Sequence, residues 1–99
     1  QAEAQANAGE LESAAASLER AIRIDARNPV IWYHLATVRL SQGEPAQPEQ
    51  LANQSNSLAP GNRTQQARNW ILIAESRRQM NDRAGAAAAE QRARELDAH

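Results

Sequence analysis

The chain has 99 residues, 11 basic and 12 acidic side chains for a net charge of −1, and neither cysteine nor phenylalanine. That length holds one domain and leaves no room for a second. Balanced, dispersed charge argues against a nucleic-acid face or a polybasic membrane patch. The missing cysteines exclude a disulfide framework and thiol chemistry, and no apolar run approaches the roughly 20 residues of a bilayer span. Alanine occurs 22 times while aromatics make up 3%. A core must therefore come from helices approaching closely over small side chains, helped by scattered Leu, Ile and Val and two Trp. Ala, Gln, Glu and Arg are all good helix formers, and no segment shows sustained strand alternation.

The opening segment QAEAQANA predicts a partial helix over about 1–7, ended at Gly9. A second helix is expected over 10–24. Its stretch AAASLERAIRIDA, residues 14–26, returns as AAAAEQRARELDA at 86–98 with seven of thirteen places identical, among them Arg20 on Arg92 and Asp25 on Asp97. A third helix, over 29–42, starts at Pro29, where a missing N–H costs little, and should bury Trp32, Leu35, Ala36 and Val38 or Leu40. The fourth, over 46–58, has Pro45 at its start and Pro48 still in its first turn. A fifth spans 64–80, with Asn62 or Thr64 as N-cap and Trp70, Ile73, Ala74 and Met80 inward. The sixth spans 82–97.

The landmarks of this series are periodic. Gly9 to Gly43, Ala26 to Pro60 and Ile24 to Leu58 are each 34 apart, whereas Trp32 to Trp70 is 38, and 34 + 38 gives the 72 of the repeated stretch. One four-residue insertion at 63–66 explains both steps and divides the chain into units of about 1–28, 29–62 and 67–99. A two-helix unit of this period, with Trp near its start, a small residue after it, Gly at the turn and Ala at close contacts, resembles the tetratricopeptide repeat family. Trp32, Leu35, Ala36, Gly43, Leu58 and Pro60 carry the resemblance in the middle unit. Gly9, Ala14, Leu18, Ala21, Ile24 and Asp25 carry it in the first, and Trp70, Ile73, Ala74, Ala86, Ala93, Leu96 and Asp97 in the third. Arg39 and Arg77 depart from the pattern, standing where the family has Tyr; Pro48 and Ser55 replace Ala, and Asn81 replaces the turn Gly. The resemblance implies an all-α fold, a short solenoid of antiparallel helix pairs with six helices. Glu90 and Arg94 stand where the first copy has Leu18 and Ile22, as a capping helix with a polar outer face requires.

No catalytic, cofactor-binding or metal-binding residues are identified. His34 has no carboxylate or Ser within a turn to make a nucleophile–base pair, and the acidic residues are scattered over separate helices rather than converging. The four glycines are isolated, so there is no phosphate loop. An enzyme would need a deep polar pocket with a strongly perturbed titratable group. What the family implies instead is a non-enzymatic interaction module, its concave face lined by the first helix of each unit. Carried onto this chain, the groove residues are Val30, Tyr33, His34 and Thr37, with Arg68, Ile71, Leu72, Glu75 and Arg78; Leu40, Ser41 and Gln79 flank them. Tyr33 with Arg68 and Arg78 would suit an extended peptide or a partner helix. The bland alternative, Tyr33 covering the core and the arginines solvated, stays open.

The Lys-free, Ala-, Gln- and Arg-rich composition is also similar to the tetratricopeptide domains of Pseudomonas-type outer-membrane lipoproteins that activate a bifunctional penicillin-binding protein. That resemblance implies a periplasmic domain, tethered through a lipidated segment upstream of Gln1, whose protein partner is a peptidoglycan synthase. The alternative is a cytoplasmic or secretion-system adaptor of the same fold.

Overall fold

A computed structural model describes residues 2–98, with side chains from residue 7 onward. Among the described residues there are five helices and no strand: α1 (Ala2–Ile24), α2 (Pro29–Ser41), α3 (Gln47–Ser57), α4 (Arg63–Gln79) and α5 (Arg83–Asp97). The all-α solenoid stands, with five helices in place of six. Gln1, at the start of the expected first helix, and His99 lie outside the described residues.

The count changes because the two expected N-terminal helices are one. At the positions corresponding to Gly9 in the later units, Gly43 and Asn81 adopt left-handed φ values of 78° and 63° and reverse the chain. Gly9 instead stays helical, and nothing lies within 4 Å of where its Cβ would be. With no packing to impose a turn, the flanking alanines and Glu, Gln carry the helix through a single glycine, whose presence costs only about 1 kcal/mol.

The other helix starts follow local chemistry. Asn28 Oδ1 accepts from Val30 N at 3.0 Å with Pro29 just behind it, Asn62 Oδ1 accepts from Gln65 N at 3.1 Å, and Asp82 Oδ1 accepts from Gly85 N at 2.9 Å. Each satisfies one of the orphan donors of a first turn. α3 lacks a side-chain cap, and Pro48 sits in its first turn and is fully buried. Pro45 lies in the preceding loop rather than at the helix start.

α2 packs against α1, α3 and α4, and α4 against α2, α3 and α5; among the described residues α2 is the one helix against which the backbone of α1 packs closely. The core comprises Ala36, Ala52, Leu72, Ile73, Ala74, Ala86 and Ala89, with Tyr33, Leu40, Leu51 and Trp70 packed against it. Five of these seven buried residues are alanines, so helix proximity rather than bulk fills the interior. Burial of Ile73, the largest fully buried side chain, contributes roughly 1.5–3 kcal/mol. Trp32 is half-buried, and its indole Nε1–H donates to Ala26 O at 2.8 Å, which serves its polar edge. Met80, expected inward, is 39% exposed: α4 ends at Gln79 and Met80 is its C-cap, beyond the last turn that faces the core.

α4 runs for 17 residues where α2 runs for 13, and its first residue, Arg63, reaches the far end of α5. There Arg63 Nε donates to Leu96 O at 3.1 Å and Nη2 to Glu95 O at 3.0 Å. A guanidinium thus serves two carbonyls of a helix C-terminus, where unpaired acceptors and the dipole both favour a cation.

Candidate partner-binding surfaces

Val30, His34, Thr37 and Ser41 form an exposed stripe along α2, and Arg68, Ile71, Glu75 and Arg78 one along α4. The spacing keeps each set on one helical face. Because α2 and α4 pack side by side, the stripes lie on neighbouring helices, turned away from α3. Val30 is 43% and Ile71 53% exposed. Tyr33 is half-buried against the core, its ring 5.7 Å from that of His34 and tilted by 57°. Thr37 Oγ1 donates back to Tyr33 O at 3.1 Å. Leu72 does not belong to this surface: it is 6% exposed within the core cluster. With α2, α3 and α5 all against α4, the buried arc of that helix is wide enough to include it.

The two arginines of this surface differ. Arg68 is exposed and makes no hydrogen bond among the described residues. Arg78 bonds Glu90 at 2.8 Å and Glu75 at 3.1 Å. The hydrogen bond to Glu90, followed by that to Glu75, raises the pKa of its guanidinium above the ordinary value. A partner carboxylate can therefore take Arg68 directly but must compete for Arg78.

On the opposite side of α2 lie groups that reading the sequence did not assign to a binding surface. A groove of about 410 Å³ runs between α1 and α3 with α2 as its floor, lined by Glu19, Ile22, Arg23, Trp32, Leu35, Arg39, Gln47 and Leu51. A second, of about 430 Å³, is lined by Asn53, Asn56, Ser57, Gln66, Trp70 and Arg92. Adding 34 to Glu19, Ile22 and Arg23, and 38 to Trp32, gives Asn53, Asn56, Ser57 and Trp70, so the grooves are corresponding features of two successive repeat junctions.

The arginines at the family's Tyr positions cross these junctions. Arg77 forms a bidentate fork with Glu49, Nε to Oε1 at 3.0 Å and Nη2 to Oε2 at 2.9 Å, while its Nη1 donates to Gly85 O at 3.1 Å. The hydrogen bond to Glu49 raises the pKa of Arg77 against the opposing effect of burial. Arg39, 38 residues earlier, makes one bond to Glu19 at 3.0 Å and one to Gln42 at 2.9 Å, and its buried Nε has no partner. The only signal in the sequence was the departure from the family pattern itself.

Among the described residues no group of three or more His, Cys, Asp or Glu converges as a metal site, and no helix is long and apolar enough to cross a membrane. Paired helices at a 34-residue period with two exposed surfaces and a small-residue core define a repeat-type docking scaffold. The tetratricopeptide repeat profile matches residues 6–71, and the chain belongs to that family. It is similar to the globular C-terminal domain of P. aeruginosa LpoP, with 52% sequence identity and a TM-score of 0.85 over 94% of this chain and 88% of that one. No curated protein sequence matches.

Proposed function

We propose that the domain is a non-enzymatic docking module that activates a peptidoglycan synthase, a class A penicillin-binding protein. In this reading it works in the periplasm, held to the outer membrane by a lipidated segment upstream. The observation that carries the reading is the 52% identity to the LpoP domain across nearly the whole chain. The contact surface in this proposal is the α2–α4 stripe, with Val30 and Ile71 as apolar anchors, Tyr33 and His34 between them, and Arg68 as the available cation; Thr37, Glu75 and Arg78 complete it. A preformed helical surface opposes association with little ordering cost.

The test is binding of the domain to the purified periplasmic region of a class A penicillin-binding protein from the same organism, followed by glycan polymerisation. The pair Ile71→Asp with Arg68→Glu changes two exposed side chains and leaves the core alone. Expected are binding by the native domain, faster polymerisation, and a loss of at least about tenfold in affinity for the pair, as for removal of interface anchors. Equal binding by both proteins removes the stripe from the proposal; no binding by either removes the synthase.

A further inference from the structure

We propose that the groove between α1 and α3 is a second docking site, taking a partner segment that carries a carboxylate beside a bulky aliphatic or aromatic side chain. It is separate from the surface discussed above. Trp32, Leu35 and Arg39, which floor it, lie on the face of α2 opposite to Val30, His34, Thr37 and Ser41, as a period of 3.6 residues dictates.

The corresponding junction shows what the groove lacks. Leu35 and its equivalent Ile73 are both buried, but the equivalent of Leu51 at the second junction is the fully buried Ala89, and the lining from α3 is Asn53, Asn56 and Ser57. At the first, Leu51 remains half-exposed, Ile22 stands where Asn56 does and Arg23 where Ser57 does, while Trp32 and Trp70 are both half-buried. Both junctions keep a cleft within the size range of ligand-binding sites, but the second is lined by amide and hydroxyl groups and the first by apolar side chains and arginines.

The charges specify the occupant. Arg77 closes both Nε and Nη2 on one carboxylate, whereas Arg39 at the same place in the earlier unit engages one oxygen of Glu19 and leaves a buried Nε unpaired. The position corresponding to Glu49 in the first unit is Ala15, which cannot supply the missing acceptor. Arg23, on the same rim, is exposed and unpaired among the described residues. Against the single Glu19, two guanidiniums make the rim cationic. An acidic side chain is the complement, since the exposed planar fork of Arg23 can bind a carboxylate bidentately, and its apolar neighbour would cover Trp32 and Leu51.

The experiment selects random peptides displayed on phage against the domain, then follows a synthetic version of the enriched sequence by NMR. Asp or Glu next to Leu, Ile, Phe or Trp should be enriched, and the peptide should shift the Trp32 indole resonance and leave that of Trp70 in place. Replacing the peptide carboxylate by its amide, or Arg23→Glu in the domain, should each weaken binding about tenfold or more, as for loss of a charged hydrogen bond. The pair Ile22→Asn with Arg23→Ser, which copies the second junction, should abolish it. The inference is overturned if enriched peptides lack acids, if Arg23→Glu binds equally, or if the shifts fall on Trp70 or the α2–α4 stripe. It is likewise overturned if light scattering shows the domain alone dimerising in a manner that Arg23→Glu abolishes, which would assign the groove to a second copy.

Discussion

The two repeat junctions share a backbone plan and differ in how they close. Between α3 and α4, Asn69 is fully buried; it donates to Ser55 Oγ at 2.9 Å and Asn56 Oδ1 at 2.8 Å and accepts from Gln65 Nε2 at 3.0 Å. Ser55 Oγ in turn donates to Pro29 O at 2.8 Å, tying in α2. Between α1 and α2 the residue corresponding to Asn69 is Ile31, half-buried, and the ion pair is Arg39 with a half-exposed Glu19. Spacing and small residues set the stacking in both places, while hydrogen-bonding groups were placed at one and apolar surface left open at the other. Stability is thus concentrated in α3–α5 and unused binding capacity at α1–α3.

The largest test of this contrast is Asn69→Ala. It strips three partners from a fully buried amide and should cost about 2–4 kcal/mol, lowering Tm by roughly 10–25 °C in a thermal melt followed by circular dichroism. Ile31→Ala at the open junction should cost less, about 1–2 kcal/mol, because the site is already partly solvated. Next in size, Glu49→Ala opens the Arg77 fork and should cost about 1–3 kcal/mol in urea unfolding. The counterpart Glu19→Ala should stay below about 1 kcal/mol, as exposed pairs do. Equal costs for Glu49→Ala and Glu19→Ala would erase the distinction between the junctions.

The smallest effects are the most diagnostic of the N-terminal helix. Gly43→Ala forces a side chain into a left-handed turn and should destabilise by about 1 kcal/mol. Gly9→Ala, at the corresponding place in the first unit, should stabilise by about 0.5–1 kcal/mol and raise helicity, because there the glycine is helical. If Gly9→Ala instead destabilises, the chain reverses at Gly9 as it does at Gly43, and α1 is two helices.

That pair also marks what the sequence can and cannot convey. The steps of 34 and 38 residues were visible in Trp32, Trp70 and the glycines, because a repeat imposes its period whatever its side chains. Asn62 as an N-cap was visible for a similar reason, since its chemistry is local. Gly9 was misread because turn and helix are both open to glycine, and only the absence of packing around it decides. Leu72 and Met80 were misplaced by a turn's margin: the width of a buried arc depends on how many helices surround α4, which is a tertiary fact. The Arg39 and Arg77 contacts were illegible because they join residues 20 and 28 positions apart, and the family pattern marked them only as anomalies.

Among the described residues, α2 is the one helix against which α1 packs closely. A helix held along one side can detach while α2–α5 keep every contact among themselves, so its amides should exchange with solvent through a shallow local opening rather than through global unfolding. Whatever fills the cleft between α1 and α3 would touch both walls and act as a staple. Its occupancy would register as slowed deuterium uptake along the whole of α1, including turns the ligand never reaches.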